Sequence, residues 1–212
     1  MNTTIQTETE LSSVNSILGA IGQAPISRIY NNTDDELVYV NPEISFIHQL
    51  LLEVNSDVQN EGWVFNTENC LPLTPNSDGE ILVPANVLRL DMCDNATYRT
   101  TNFVLRGGKL YDKYKHTFKF DPQTAIHFDV VWKWEYEELP SAFKRYITLR
   151  ASGRAATQMV ANADLVKLLA TQEAFARATC MEYECNQGDH NFMGWPDDSA
   201  YQSYQPYRML RR

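Results

Sequence analysis

Positive charge is the first thing this sequence is short of. Its 18 Lys and Arg are outnumbered by 27 Asp and Glu, for a formal net charge of -9. Nonspecific nucleic-acid binding depends on clustered cations, so this balance excludes a general electrostatic grip on a phosphate backbone. Long apolar runs are also missing, and none approaches the roughly 20 residues a helix needs to span a bilayer. The first residues, MNTTIQTETE, lack the basic-then-apolar order of a secretory signal, and a soluble, non-exported chain is expected. Cysteine is sparse. Cys70, Cys93, Cys180 and Cys185 are too few and too scattered for a disulfide scaffold, and reduced cytosolic thiols are the simpler expectation. The common enzyme signals are absent too: there is no phosphate-cradling glycine loop, no nucleophile elbow and no HExxH helix. Cys180, Cys185 and His190 match no familiar zinc spacing and have no evident fourth ligand, so neither a metal nor a cofactor is expected.

What is present reads as one domain of ordinary size, since 212 residues suffice to bury a proper core. A short first helix begins at Thr9 or Glu10 and carries Leu11, Val14, Leu18 and Ile21 at helical spacing, until Gly22 and Pro25 stop it. Asn31 to Glu36 reads as a polar loop. The most strongly written stretch follows, Pro42 to Glu68. Ile44, Ile47, Leu51, Val54 and Val58 alternate at steps of three and four and form one apolar stripe. Asn41 is placed to cap this helix, Pro42 suits its first turn, and Gly62 is the residue expected just past its end. Trp63 and Phe65 then anchor the exit in the core.

Beyond Glu68 the period changes. Ile81-Leu82-Val83 and Val87 to Leu90 read as strands between proline and NSDG turns, and Gly107-Gly108 makes a tight hairpin within Asn102 to Lys113. In residues 125 to 136, Ile126, Phe128, Val130, Trp132 and Trp134 form an inner face, alternating with His127, Asp129, Val131, Lys133 and Glu135. After Pro140 the chain turns helical again. One helix is expected from Ser141 to Val160, with Phe143, Ile147, Ala151 and Ala155 on one face; a second runs from Asp164, its cap, to Asn186. The small residues Ala151, Gly153, Ala155 and Ala156 would let another helix approach closely. The fold class is therefore α+β, a helical bundle (residues 1–70 and 138–187) with an inserted antiparallel β-sheet (71–137) and an extended C-terminal arm (188–212).

The arm cannot form a core of its own, yet it carries Phe192, Trp195, Tyr201, Tyr204 and Tyr207 and ends in Arg208, Arg211 and Arg212. Tyr, Trp and Arg are enriched at the energetic centres of protein interfaces, so these eight residues are the candidate partner-binding set, against the alternative of a tail folded back on its own domain. Glu135, Glu137 and Glu138, with Asp129, are the candidate acid/base groups of a hydrolase, although a solvated loop between sheet and helix explains the glutamates equally well. His48 and His127 read as ordinary surface or satisfied core histidines.

Three segments, ELSSVNSILGAIGQAPISRI (residues 10–29), EVNSDVQNEGWVFNTE (53–68) and ELPSAFKRYITLRASGRAA (138–156), with CMEYE at 180–184, together resemble the tail tubular protein A family of T7-like, short-tailed bacteriophages. The Gly-Trp-x-Phe-Asn exit from the long helix is the most specific piece. The resemblance implies a structural virion protein of the tail, assembled in the bacterial host cytoplasm: a head-to-tail adaptor, or gatekeeper, forming a dodecameric ring between portal and nozzle. It also implies that helices form the contacts with its own copies, that the sheet faces the tail nozzle (tail tubular protein B), and that the arm engages the portal protein. Tail fibre protein would dock near the junction, and DNA would pass through the lumen during ejection without specific binding. No catalytic residues are implied. The alternative is a tail-associated hydrolase acting on host envelope polysaccharide.

Overall fold

Helices open and close the described chain, and strands fill its middle. The computed structural model describes residues 8–33, 36–93, 103–121 and 125–188; His190 and the arm residues Phe192, Trp195, Tyr201, Tyr204, Tyr207, Arg208, Arg211 and Arg212 lie outside them. Among the described residues the fold is α+β, with four α-helices and antiparallel sheets. The described chain divides into two compact units, one drawn from residues 8–61 and 133–183, the other from 62–132 and 184–188.

The first unit is the helical one. Helix α1 (Glu10–Ala20) starts where the Thr9 hydroxyl accepts the Ser12 N–H, and it buries Val14, Ile17 and Leu18. The segment expected as a polar loop is instead a hairpin, β1 (Tyr30–Thr33) against β2 (Glu36–Tyr39). Backbone pairing needs no apolar side chains, and the Tyr30–Tyr39 ring pair, with centroids 4.8 Å apart, closes its open end. Helix α2 (Pro42–Asn60) follows the sequence closely. The Asn41 side chain accepts the Glu43 N–H, and all five stripe residues are at most 4% exposed. Gly62 takes the left-handed φ of +80° that its place after the helix requires. Helix α3 (Ser141–Ala155) packs against both α1 and α2 and buries Phe143, Tyr146, Ile147, Ala151 and Ala155. It is shorter than expected, because Ala156–Val160 forms a widened, π-type turn ending at Ala161 with φ +53°. Helix α4 (Ala163–Gly188) is capped not by Asp164 but by Asn162, whose side chain accepts the N–H groups of Asp164 and Leu165.

Beneath these helices lies a buried hydroxyl cluster. Tyr136, 1% exposed, donates to the Lys144 carbonyl at 3.1 Å and meets Ser13 Oγ at 2.7 Å and Thr148 Oγ1 at 3.1 Å. Gln59, fully buried, bonds the backbone of Trp134 in both directions at 2.8 and 2.9 Å.

The second unit is built on β7 (Ile126–Trp132), the centre of a three-stranded antiparallel sheet with β3 (Thr67–Leu73) on one side and β4 (Val87–Met92) on the other. Pro72 hides β3 from a sequence reading, yet β3 is an edge strand, where a missing donor is tolerated. Ile126, Phe128 and Val130 enter the core with Ile81 and Leu110, as the alternation requires. Two positions depart from it. Val131 is buried, its methyl packed near Gly62, and Trp134 lies past the strand, 37% exposed. The expected strand at Ile81-Leu82-Val83 is a single bridge from Leu82 to Lys109. A second hairpin, β5 (Phe103–Arg106) and β6 (Lys109–Asp112), turns at Gly107-Gly108 with φ of +57° and +73°, as a tight two-residue turn demands. The expectation of four reduced thiols is also overturned: Cys70 and Cys93 form a disulfide with Cα atoms 5.3 Å apart. Their separation of 23 residues conceals that β3 and β4 flank the same central strand.

Candidate assembly surface

Helix α4 is 26 residues long, roughly 39 Å at the standard rise. Of its apolar residues it buries only Leu169, Ala176 and Cys180, a narrow line on one face. Leu168 and Phe175, seven residues apart and so on a common face, are 66% and 71% exposed, and Met181 is 46% exposed. Together they make an apolar strip on the exposed side of the helix. A groove of about 400 Å³ runs between α3 and α4, lined by Ala142, Arg145, Leu149, Gln172, Phe175 and Thr179.

What holds α4 in place is largely polar. Glu61, just past the end of α2, receives Arg177 in a two-pronged pair at 3.2 and 2.9 Å, and Arg150 of α3 at 3.2 Å. The Tyr146 hydroxyl accepts from both guanidinium groups, at 2.8 Å from Arg177 and 3.0 Å from Arg150. The Glu61 hydrogen bonds, seconded by Tyr146, raise the pKa of Arg177 above its already high ordinary value, so its charge is permanent. Arg154 extends the network to Glu53 at 3.3 Å and Asp57 at 2.7 Å on α2. Bidentate arginine pairs are directional, so this clamp sets the orientation of α4 as well as its distance. Two further contacts complete the seam. Phe143 meets Tyr183 edge-on at 5.7 Å, and the Cys180 thiol reaches the Ala142 carbonyl at 3.4 Å. Burial pushes that thiol up to about 11, making it a packing group rather than a nucleophile.

The residues singled out for chemistry fall elsewhere. Glu135 and Glu138 are exposed, Glu137 accepts the Glu10 N–H at 3.0 Å, and Asp129 accepts the Cys70 N–H at 2.8 Å. None of these carboxylates lines the α3–α4 groove. His48 is 2% exposed and held by Tyr39 at 3.1 Å, Tyr30 at 3.5 Å and Glu10 at 3.4 Å, a satisfied core histidine. Cys185 is exposed, well apart in environment from buried Cys180. The clamp of Glu61, Tyr146, Arg150 and Arg177 escaped the sequence reading.

A family model described as tail tubular protein matches residues 11–190. The chain belongs to the tail tubular protein family. Among curated proteins, none matches it. Membership makes the chain a structural protein of a bacteriophage tail, and the matched span runs from the first turn of α1 through the whole of α4.

Proposed function

We propose that the chain is a head-to-tail adaptor of a short-tailed, T7-like phage, of the A type of tail tubular protein, closing into a dodecameric ring between portal protein and nozzle. The observation that carries this reading is the uncovered face of α4, with Leu168 and Phe175 set rigidly outward by the arginine clamp on Glu61. In a ring, each copy offers one surface and accepts with another, and the apolar strip of α4 fits the surface offered in such a heterologous contact. The sheet unit then meets tail tubular protein B, tail fibre protein docks near the junction, and residues 189–212 reach the portal. Assembly takes place in the host cytoplasm. With a charge of -9 on every copy, the lumen repels DNA, which slides through during ejection without binding.

The test is the mass of the purified chain, alone and with portal, for the wild type and for Phe175→Glu. Phe175 is exposed, so the variant should fold with stability within about 0.5 kcal/mol of the wild type. It should nonetheless remain a monomer under conditions in which the wild type forms rings. Rings of unchanged mass and stability in the variant would refute the assignment of this face.

A further inference from the structure

The three-stranded sheet has a second face. Leu71, Leu90, Met92, Phe128 and Val130 point to the core, and the alternate positions bring two thiols and a carboxylate together on the other side. Cys70 lies in the bulge of β3 between Glu68 and Leu71 with φ +54°, a left-handed conformation that a residue with a Cβ rarely adopts. It is held there by its N–H, which donates to Asp129 Oδ1 at 2.8 Å. Cys93, just after β4, is anchored by its own N–H to the His127 carbonyl at 3.1 Å. The ligand atoms of Cys70, Cys93 and Asp129 all lie within 4.8 Å of one another, the one such group among the described residues. Cys70 is exposed and the other two half-buried, so the cluster is open to solvent.

The Asp129 carboxylate, which holds the bulge through one oxygen, also stands beside both sulfur atoms. We propose that, when the Cys70–Cys93 bond is reduced, the two thiolates and the Asp129 carboxylate form a binding site for a thiophilic divalent cation such as zinc, with water as the fourth ligand. Zinc takes sulfur and carboxylate oxygen together in tetrahedral geometry, which spaces its sulfur ligands about 3.8 Å apart, within the reach of this cluster. The chemistry balances. Two equivalents of a small thiol reduce the bond, giving two cysteine thiols and one external disulfide; zinc then displaces the two thiol protons to solvent, while Asp129 enters already ionised. The disulfide ties the two outer strands to each other, whereas the cation ties both of them to the central strand. The sheet therefore keeps a cross-link in reducing and in oxidising surroundings.

The experiment uses the full chain, reduced and held without oxygen, titrated with cobalt as a spectroscopic stand-in for zinc. One equivalent should produce the thiolate-to-cobalt charge-transfer band and the visible bands of a tetrahedral ion, and zinc should bleach them. The oxidised chain should show neither. Cys70→Ser, at an exposed position, should abolish the charge-transfer band while circular dichroism stays unchanged. Asp129→Asn should weaken zinc binding by about tenfold or more in competition with a chelating dye. Absence of the band in the reduced wild type, its persistence in Cys70→Ser through Cys180 or Cys185, or full affinity in Asp129→Asn would each overturn the proposal.

Discussion

Replacing Tyr136 by Phe isolates one oxygen atom in the middle of the helical unit. The ring stays, so no cavity opens; what goes is the hydroxyl that joins α1 to α3 through Ser13, Thr148 and the Lys144 carbonyl. These partners do not suffer equally. Thr148 Oγ1 still donates to the Lys144 carbonyl at 2.8 Å, so that pair survives without Tyr136. Ser13, only 4% exposed, loses the partner it holds at 2.7 Å and is left with a buried hydroxyl unpaired. Leaving such a group unsatisfied costs about 1–3 kcal/mol. Ser13→Ala should cost less, about 0.5–1.5 kcal/mol, because Tyr136 can still donate to Lys144. The double variant removes both ends of one bond, so its cost should fall below the sum of the singles by about 0.5–1.5 kcal/mol. Urea unfolding followed by far-ultraviolet circular dichroism reads these differences as midpoint shifts at constant slope. A Tyr136→Phe variant as stable as the wild type, or strictly additive costs, would refute the bridge between α1 and α3.

The same tyrosine sets an alkaline limit. Burial raises its pKa above the ordinary 10.0, so the folded chain keeps a proton that the unfolded chain has already released. Its contribution is complete below pH 10 and is lost as pH rises through the higher folded value; Tyr30, raised to about 12 by burial and its bond to Tyr39, extends the window upward. Stability should therefore fall between pH 10 and about 12, and less steeply in Tyr136→Phe, whereas parallel curves for the two proteins would exclude the linkage. Gly62→Ala tests the exit from α2. The left-handed φ of +80° costs an L-residue about 1–2 kcal/mol, and the new Cβ would stand 2.7 Å from the movable end of Arg89 and 3.3 Å from a packed Val131 methyl. The arginine swings aside and the valine does not, so the loss should reach at least the backbone figure in a denaturation midpoint. A neutral substitution would mean that Gly62 is not held in that conformation.

The two units are held together by different means. The helical unit fixes α4 through charged side chains, which are directional, and leaves Leu168 and Phe175 exposed. The sheet unit is stabilised differently, by a small core and a cross-link over its outer strands. The tie acts chiefly on the unfolded state, by closing the loop between two cysteines 23 residues apart.

Local features were readable without any structure. The stripe of α2, its Asn41 cap, its Gly62 stop and the Gly107-Gly108 turn depend on neighbours within a few residues, and each is where the sequence indicates. Features that join distant residues were not. Asn162 rather than Asp164 caps α4, since Asn162 is the residue just outside the helix whose side chain accepts the N–H groups of its first turn. The edge position of β3 excuses Pro72, but edge or centre is decided by which strand lies alongside. The Cys70–Cys93 pair and the carboxylate of Asp129 meet only because β7 runs between two strands that sequence keeps apart. The clamp on Glu61 draws on three helices, two of them some ninety and more residues further along the chain. Composition and periodicity determined which surfaces each segment has to bury. Which surface each segment found, and which it left uncovered on α4, was decided by tertiary packing, since an apolar face names no partner and a charge pairs with whatever the fold brings within reach.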